Sequence, residues 1–393
     1  MSPRSRLTPQ RLVWLAAIAA LAVLGGALAW AGVAAPAPSP RPASAAGVSA
    51  PMAPPFPPPG ANVSGTTWIN SPPLSMRKLR GKVVMIDFWE YTCINCIRTF
   101  PENKTWWRRY RKYGFVIVGV HDPEFKYAHD VANVRAAVRR FGLPYPIVVD
   151  DWYRIWNAYH SDVWPNRFLI DAQGRIRFHL EGEGNNREFE QAIQFLLQEA
   201  HPGLKFPASY ALPPAKNAWG PGCGQTTPEM YVGNWFGRGV LANPFGYHDG
   251  KTHRYRLPRD VADGSAVLAG KWRSNRNGMM YAGKRGAPSA AGQLEMRYHA
   301  RQMYAVLNVV HGRPERLYIL QDGKPLTAKN KGVDVRFDRQ GRSYIEVAAT
   351  RMYYLVQNPV LGAHRVQLQP TAPGIMVDSF TFGNNCQTDF PHD

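Results

Sequence analysis

The sequence lacks several features that mark common functional classes. Its 393 residues include only four cysteines, too few for a scaffold held together by disulfides. It has no second Cys-x-x-Cys motif, which argues against a zinc site. It also has no glycine-rich GxGxxG loop of the kind that binds dinucleotides. We therefore expect neither a metal nor a bound cofactor.

Acidic residues are scarce as well. Asp and Glu number 28 against 47 Lys and Arg, a formal net charge of +19. Such an excess can indicate nucleic-acid binding, but the sequence has no block of five consecutive basic residues, and the positive charge is dispersed along the whole chain. We expect no nucleic-acid partner. The excess positive charge instead predicts attraction to anionic membrane or cell-wall surfaces.

Two of the four cysteines, Cys93 and Cys96, form a closely spaced pair. The β-branched and aromatic residues 83–89 predict a strand that is buried on both faces, and residue types typical of a helix follow the pair. Cys93 would then lie at the start of a helix, where free N–H groups and the helix dipole favour a thiolate. Cys96, one turn further on, can close a short disulfide with it. The pattern predicts a redox-active dithiol.

The first residues indicate where the protein is located. Three arginines precede the apolar run 12–35, which is long enough to cross a bilayer. We predict that residues 1–35 form a cytoplasmic tip and a single-pass anchor in a bacterial-type inner membrane. The later domains would then lie in the periplasm or outside the cell. Secretion after cleavage of a signal peptide is the alternative. The proline-rich residues 36–61 predict a stiff spacer.

Two folded domains are predicted beyond this spacer. Residues 62–200 alternate strands and helices and include a hairpin turn at Asp171–Gly174, which indicates an α/β fold. Residues 201–222, rich in proline and glycine, predict a linker. Residues 223–393 contain short alternating strands separated by turns and no convincing long helix. They predict an all-β jelly-roll sandwich.

Residues 62–200 resemble the thioredoxin superfamily, in its extracytoplasmic TlpA/ResA-like branch. The matching segments are residues 79–84, Asp87 to Trp89, Cys93 to Cys96, His121 to Phe125, Trp164-Pro165 and residues 169–171. The whole folded part is similar to the C-terminal region of DipZ-type proteins. In those proteins a domain similar to carbohydrate-binding modules follows the thioredoxin fold. Tyr231 to Gly233, Leu268 to Trp272 and Asp378 to Gly383 carry this second match.

The resemblance implies a mechanism of thiol–disulfide exchange with protein substrates. Cys93 would attack the substrate disulfide, and Cys96 would resolve the mixed disulfide. Pro165 would follow a cis peptide bond and pack against the pair. The electron donor implied by the same resemblance is a membrane thiol transporter of the CcdA/DsbD kind.

Several residues near the pair are candidates for supporting roles. Asp87 would help to move the proton of the second thiol, or it is simply an acid at a strand end. Glu90 acts in the same way or is an exposed acid in a turn. Trp89 is expected to pack under the site without reacting. His121 and Glu124 match the family pattern, but we interpret them as a polar turn after a strand.

The remaining cysteines and a group of aromatic residues belong to the predicted sandwich. Cys223 and Cys386 lie at its two ends, and a structural disulfide between them would stabilise it by about 5 kcal/mol. Four aromatic residues could form a platform for a glycan, although such residues more often belong to a core: Trp235, Phe236, Trp272 and Tyr281.

Together these features predict an extracytoplasmic thiol–disulfide oxidoreductase. We expect a reductant, because Asp87 and Glu90 add negative charge and no histidine stands between the cysteines to stabilise a Cys93 thiolate. A disulfide isomerase or oxidant is one alternative. A thiol peroxidase is another, although its Pro-x-x-x-Thr-x-x-Cys motif is absent. A third is a cell-surface binding or scaffold protein that acts through the sandwich.

Overall fold

A computed structural model of the chain describes residues 41–42, 50–57, 66–208, 225–234 and 239–384. The predicted anchor, residues 1–35, lies outside these ranges, so it stays a prediction. Cys223 and Cys386 lie outside them too, as does most of the predicted linker. Across the ranges that the structure describes, no helix is both long and apolar enough to span a membrane.

The first domain consists of a mixed sheet with helices packed on it. Its strands are β1 (Arg41–Pro42), β2 (Thr66–Ile69), β3 (Val83–Trp89), β4 (Phe115–His121), β5 (Ile147–Asp150), β6 (Asn166–Ile170) and β7 (Ile176–Glu181). Its α-helices are α1 (Ile94–Tyr110), α2 (Val131–Phe141), α3 (Arg154–Ala158) and α4 (Asn186–Ala200), and short 3₁₀ turns cover Arg111–Tyr113 and Lys126–His129. The strand order is β1-β7-β6-β3-β4-β5-β2, with β3 parallel to β4 and antiparallel to β6.

Strand β3 is the centre of this domain, and all seven of its residues are buried. Its side chains alternate between two apolar cores, as the period of two in a strand requires. Val83, Met85 and Trp89 belong to the core that includes α1, whereas Ile86 and Phe88 belong to the core on the opposite face. The predicted strand buried on both faces is confirmed. Asp87 therefore points to the same face as α1.

Part of the proline-rich segment packs on this domain. Strand β1 pairs antiparallel with β7. The amide of Ala53 donates to the carbonyl of Gly174 at 2.9 Å, and Phe56 is buried with its ring centroid 5.6 Å from that of Trp68. Over residues 41–42 and 50–57 the structure thus differs from the expected spacer, because these residues extend the edge of the sheet.

The second domain is all-β, as predicted. Its strands are β8 (Met230–Tyr231), β9 (Thr252–Tyr255), β10 (Ala266–Ser274), β11 (Met279–Tyr281), β12 (Gln293–His299), β13 (Gln302–Val309), β14 (Glu315–Gln321), β15 (Lys324–Pro325), β16 (Arg336–Phe337), β17 (Ser343–Val347), β18 (Arg351–Gln357), β19 (Ala363–Pro370) and β20 (Ile375–Gly383). The path through the sheet is β16-β17-β14-β19-β12-β10-β11-β20-β13-β18. Their inward side chains form one large apolar core.

Strand β10 joins the two halves of this domain. Its residues up to Ala269 pair with β12, and those from Gly270 onward pair with β9. Gly270 has a φ of +88°, and a Cβ atom at this position would lie 2.5 Å from the carbonyl oxygen of Ala291. The change of partner therefore requires glycine here.

The two domains share a buried apolar cluster. Tyr304 of β13 and Tyr354 of β18 belong to the same cluster as Ile97 and Phe100 of α1. The guanidinium of Arg98, also in α1, lies 5.5 Å from the ring centroid of Tyr304. The second domain is thus part of the environment of the helix that follows the first cysteine.

Candidate active site

The two cysteines lie where β3 passes into α1. Cys93 is the N-cap of the helix, and its Sγ accepts a hydrogen bond from the amide of Cys96 at 3.2 Å. Both are free thiols; Cys93 is partly accessible, whereas Cys96 is completely buried. Cys93 is therefore the more accessible of the two sulfurs.

The surroundings favour the protonated thiols. Burial raises the pKa of Cys93, and the carboxylates of Glu124 and Glu229 raise it further, while the hydrogen bond from Cys96 lowers it. Burial also raises the pKa of Cys96 well above its usual value, with the neighbouring Cys93 and the charge of Asp87 acting in the same direction. The helix N-terminus is thus outweighed by desolvation and negative charge.

Asp87 lies beneath this pair as a fully buried carboxyl group. Its Oδ2 accepts a hydrogen bond from Asn103 of α1 at 2.8 Å. Burial raises the pKa of Asp87 to about 7, and the positive charge of Arg167 opposes that shift. Arg167, which is also fully buried, donates to the carbonyls of Gly182 and Gly184 at 3.3 Å. Sequence reasoning missed Arg167, because an arginine inside a strand gives no local sign of its burial.

Glu90 is also completely buried, so the expectation of an exposed acid in a turn is wrong. Its Oε2 accepts hydrogen bonds from the amide and the hydroxyl of Thr92, both at 2.5 Å. Burial raises the pKa of Glu90 to about 7, and the bonds from Thr92 oppose the shift. The carboxyl group can therefore change its protonation state near neutral pH.

His121 is another residue whose burial the sequence did not predict. It ends β4 and has no exposed surface, so the interpretation as part of a polar turn is wrong. Its Nε2 lies 3.9 Å from Oε1 of Glu90, and its ring stacks on that of Tyr91 with the centroids 5.7 Å apart. Because burial lowers the pKa of His121 to about 3, the imidazole is neutral at physiological pH.

Pro165 and Trp89 are two further residues of the family pattern. The peptide bond between Trp164 and Pro165 is cis, and Trp164 lines the same cavity as Cys93. The ring of Trp89 is buried, with its centroid 5.3 Å from that of Phe100. Trp89 therefore packs in the core beneath the site, as predicted, while the part that Pro165 plays in exchange stays a prediction.

A cavity of about 350 Å³ opens beside Cys93. It is lined by Cys93, Ile94, Asn95, Glu124, Tyr153, Trp156, Asp162, Val163, Trp164, Glu229, Tyr231 and Thr381. Glu229, Tyr231 and Thr381 belong to the second domain, so both domains form the walls. We call this space the interdomain cleft. Sequence reasoning missed the contribution of the second domain, because only the tertiary fold brings these residues to the cysteine.

The proposed aromatic platform does not form around Trp272 and Tyr281. Both rings are buried, and their centroids lie 5.3 Å apart in the core of the second domain. Trp235 and Phe236 lie outside the described residues. Within the described ranges, no group of three or more His, Cys, Asp or Glu side chains is arranged to hold a metal ion.

A dithiol between a buried strand and a helix, with a cis-proline loop on the same cavity, defines a redox domain of the thioredoxin superfamily. Comparison with known families agrees with this assignment. Residues 61–179 match the AhpC/TSA family, and residues 227–383 match a family described as "Thioredoxin like C-terminal domain". The chain therefore contains a thioredoxin-superfamily domain followed by that C-terminal domain.

Individual relatives confirm the predicted likeness to DipZ-type proteins. Protein DipZ of Mycobacterium bovis and of Mycobacterium tuberculosis are each 31% identical over 323 residues, which is 81% of this chain and 42% of theirs. Thiol-disulfide oxidoreductase ResA of Geobacillus thermodenitrificans is 33% identical over 115 residues, 29% of this chain and 63% of ResA. A crystal structure of a putative DsbE from Chlorobium tepidum has a TM-score of 0.33 at 21% identity, covering 38% of this chain and 96% of that one. The chain spans less than half the length of the DipZ proteins.

Proposed function

We propose that the protein is a thiol–disulfide oxidoreductase that exchanges disulfides with protein substrates through Cys93 and Cys96. The observation that carries this proposal is the asymmetry of the pair. Cys93 opens onto the interdomain cleft at the start of α1, whereas Cys96 is buried, with its amide 3.2 Å from the Cys93 sulfur. Cys93 can react with the substrate disulfide, and the buried Cys96 can then resolve the mixed disulfide.

The exchange proceeds in two balanced steps. The Cys93 thiolate attacks one sulfur of the substrate disulfide, the substrate S–S bond breaks, and the released thiolate takes up a proton. Cys96, after losing its proton, attacks the Cys93 sulfur of the mixed disulfide and releases the second substrate thiol. The substrate gains two electrons, and the Cys93–Cys96 pair loses them.

Asp87 is the group that we propose to receive the proton of Cys96. It lies on the α1 face of β3, and its charge acts on Cys96. Burial raises its pKa to about 7, so near neutral pH it can both accept a proton and give it up. A carboxyl group with an ordinary pKa would be a much weaker acceptor at this pH.

We further propose that the pair acts as a reductant. Burial and the carboxylates of Glu124 and Glu229 raise the pKa of Cys93, which disfavours the thiolate and hence the reduced state. A pair whose reduced state is not stabilised gives its electrons up readily.

The direction of electron flow is tested by equilibrating the full chain with glutathione or dithiothreitol. A reduction potential near or below about −250 mV is expected, and a value of about −120 to −180 mV would make the protein a disulfide donor or isomerase. A Cys96→Ser variant should trap the mixed disulfide on Cys93. If the Cys93–Cys96 pair cannot be oxidised and reduced reversibly, the proposed activity is wrong.

We also propose that the protein works outside the cytoplasm, tethered through residues 12–35, and that a membrane thiol transporter of the CcdA/DsbD kind reduces it. The apolar run and its arginine flank support this location. Alkaline phosphatase fused after residue 393 should be active in cells, and activity only of a cytoplasmic reporter would contradict the location. Loss of the transporter should leave Cys93–Cys96 oxidised in cells, as read by thiol alkylation.

A thiol peroxidase is the second candidate, because residues 61–179 match the AhpC/TSA family. Against it, Thr92 directly precedes Cys93 in the sequence, and its hydroxyl donates to Glu90. The test is the consumption of hydrogen peroxide by the reduced protein. A rate no faster than that of a free thiol at the same pH would exclude this candidate.

A further inference from the structure

We infer that the interdomain cleft binds a basic segment of the substrate polypeptide next to its reacting sulfur, and that the second domain supplies part of this specificity. The inference rests on the proposed exchange reaction and names its substrate class. The cavity that holds the accessible sulfur has charged groups on its walls and aromatic rings beside them.

The walls of the cleft are acidic, although the chain is strongly basic. Glu124, Asp162 and Glu229 line the cavity, and its described lining includes no Lys, Arg or His. The whole chain carries a formal net charge of +19. A cavity whose walls carry one sign of charge concentrates ligands of the opposite sign. The entrance to Cys93 therefore favours cations, in contrast to the rest of the chain.

The acidic groups of the two domains are held together by one tyrosine. The hydroxyl of Tyr231 lies 2.5 Å from Oε1 of Glu124 and 3.4 Å from Oε2 of Glu229. Thr381 donates to the other oxygen of Glu229 at 3.1 Å. These bonds fix the two carboxylates on the walls of the cleft. The site is thus prearranged across the domain boundary.

Aromatic side chains complete the cleft on the side of the first domain. Tyr153, Trp156 and Trp164 line it, and the rings of Trp156 and Trp164 lie 4.5 Å apart. Lysine and arginine side chains place their aliphatic stems on apolar surfaces and their charged ends at carboxylates or over aromatic faces. A volume of about 350 Å³ has room for a few side chains. A short basic peptide segment fits this chemistry better than a neutral or acidic one.

The test compares the reaction of the reduced full chain with three synthetic peptide disulfides. The peptides are identical except that lysine, glutamine or glutamate flanks the disulfide. At low ionic strength we expect the lysine peptide to react about tenfold faster than the glutamate peptide, and added salt to reduce this ratio. The ratio between peptides is the readout, because any change in the pKa of Cys93 affects all three peptides alike.

Variants show whether the cleft produces the selectivity. Glu229→Gln and, independently, Asp162→Asn should each lower the lysine-to-glutamate ratio by a factor of two or more. Glu346→Gln is the matched control, since it removes the same charge from an exposed position of β17, outside the cleft. A control variant that lowers the ratio as much as Glu229→Gln would attribute the effect to overall charge and overturn the inference.

The remaining outcomes separate this inference from the proposed function. Equal rates with all three peptides, or a preference for glutamate, overturn the basic-segment inference and leave disulfide exchange in place. If neither the peptides nor the small neutral disulfide of 2-mercaptoethanol reacts with the reduced pair, then the proposed function itself is wrong.

Discussion

Asp87 and Arg167 face each other in register across β3 and β6, and both side chains are fully buried. The positive charge of Arg167 acts on Asp87 and on Cys96, opposing the desolvation that raises the pKa of the carboxyl group. Arg167 is in turn held by the carbonyls of Gly182 and Gly184, and its guanidinium lies 5.2 Å from the ring centroid of Phe189. Arg167 is thus a fixed, buried positive charge that partly offsets the negative charge of Asp87.

Replacing this cation should destabilise the domain. Arg167→Met leaves the carboxyl of Asp87 without a compensating charge, so the free energy of unfolding should fall by roughly 3–5 kcal/mol. The pKa of Asp87 should rise as well. Urea denaturation of the full chain measures the first effect. Arg167→Lys, which keeps the charge, should lose less stability than Arg167→Met. Equal losses would show that the positive charge at this position does not contribute to the free energy of unfolding.

The raised pKa of Asp87 also predicts a dependence of stability on pH. The pKa is about 7 in the folded protein against 3.8 for an ordinary aspartate, so the folded state holds the proton more tightly. The contribution of Asp87 to the free energy of unfolding is therefore complete below about pH 4 and declines as the pH rises to about 7, by at most about 1.4 kcal/mol per pH unit. The advantage of the wild type over Asp87→Asn should shrink over the same range.

Asp338→Asn is the control for that measurement. Burial alone would raise the pKa of Asp338, but the hydrogen bonds from Arg342, Tyr318 and Gln340 together outweigh it and lower the pKa to about 2. This carboxyl group is ionised in both states from pH 5 to 8, so its replacement should change stability by the same amount throughout. If Asp87→Asn shows an equally flat difference in urea denaturation over this range, then Asp87 is ionised in the folded protein and is a poor proton acceptor for Cys96.

The sequence predicted the elements of the first domain well, because their signals are local. The apolar run of β3 and the Cys93–Cys96 spacing each lie within one short stretch, and the cis bond before Pro165 followed from the family resemblance. The burial of Glu90 and His121 was missed because it depends on neighbours that are distant in the chain. The cleft was missed for the same reason, since Tyr231 reaches Glu124 only through tertiary packing. Sequence reasoning thus found the dithiol and several candidate supporting residues, but it missed how deeply these are buried and which groups of the second domain lie beside them.

Glu124 should control the acidity of the accessible thiol. Its charge, like that of Glu229, raises the pKa of Cys93 beyond the effect of burial. In a Cys96→Ser background, Glu124→Gln should therefore move the pH profile of Cys93 alkylation by iodoacetamide to lower pH. Glu346→Gln in the same background is the charge-matched control. An unchanged profile for Glu124→Gln would mean that the carboxylate does not influence the sulfur.

Arg98 connects α1 to the second domain. Arg98 donates to Glu183 at 3.1 Å and to Asn95 at 3.2 Å, and its guanidinium lies over the ring of Tyr304 in β13. The side chains of Arg98 and Glu183 are only 9% and 8% exposed, so Arg98→Ala removes a cation from a nearly dry environment. We expect a loss of roughly 3 kcal/mol or more in the free energy of unfolding.

Amide hydrogen exchange shows which helices and strands lose stability in Arg98→Ala. Because α1 and β13 share one apolar cluster, Arg98→Ala should reduce the protection of amides in both elements, although they belong to different domains. Arg316→Ala is the matched control, since Arg316 lies over the ring of Tyr344 within the second domain, at 4.6 Å, and makes no such bridge. It should leave the protection of α1 unchanged. Loss of protection in β13 alone after Arg98→Ala would show that the second domain does not hold the helix of the redox pair in place.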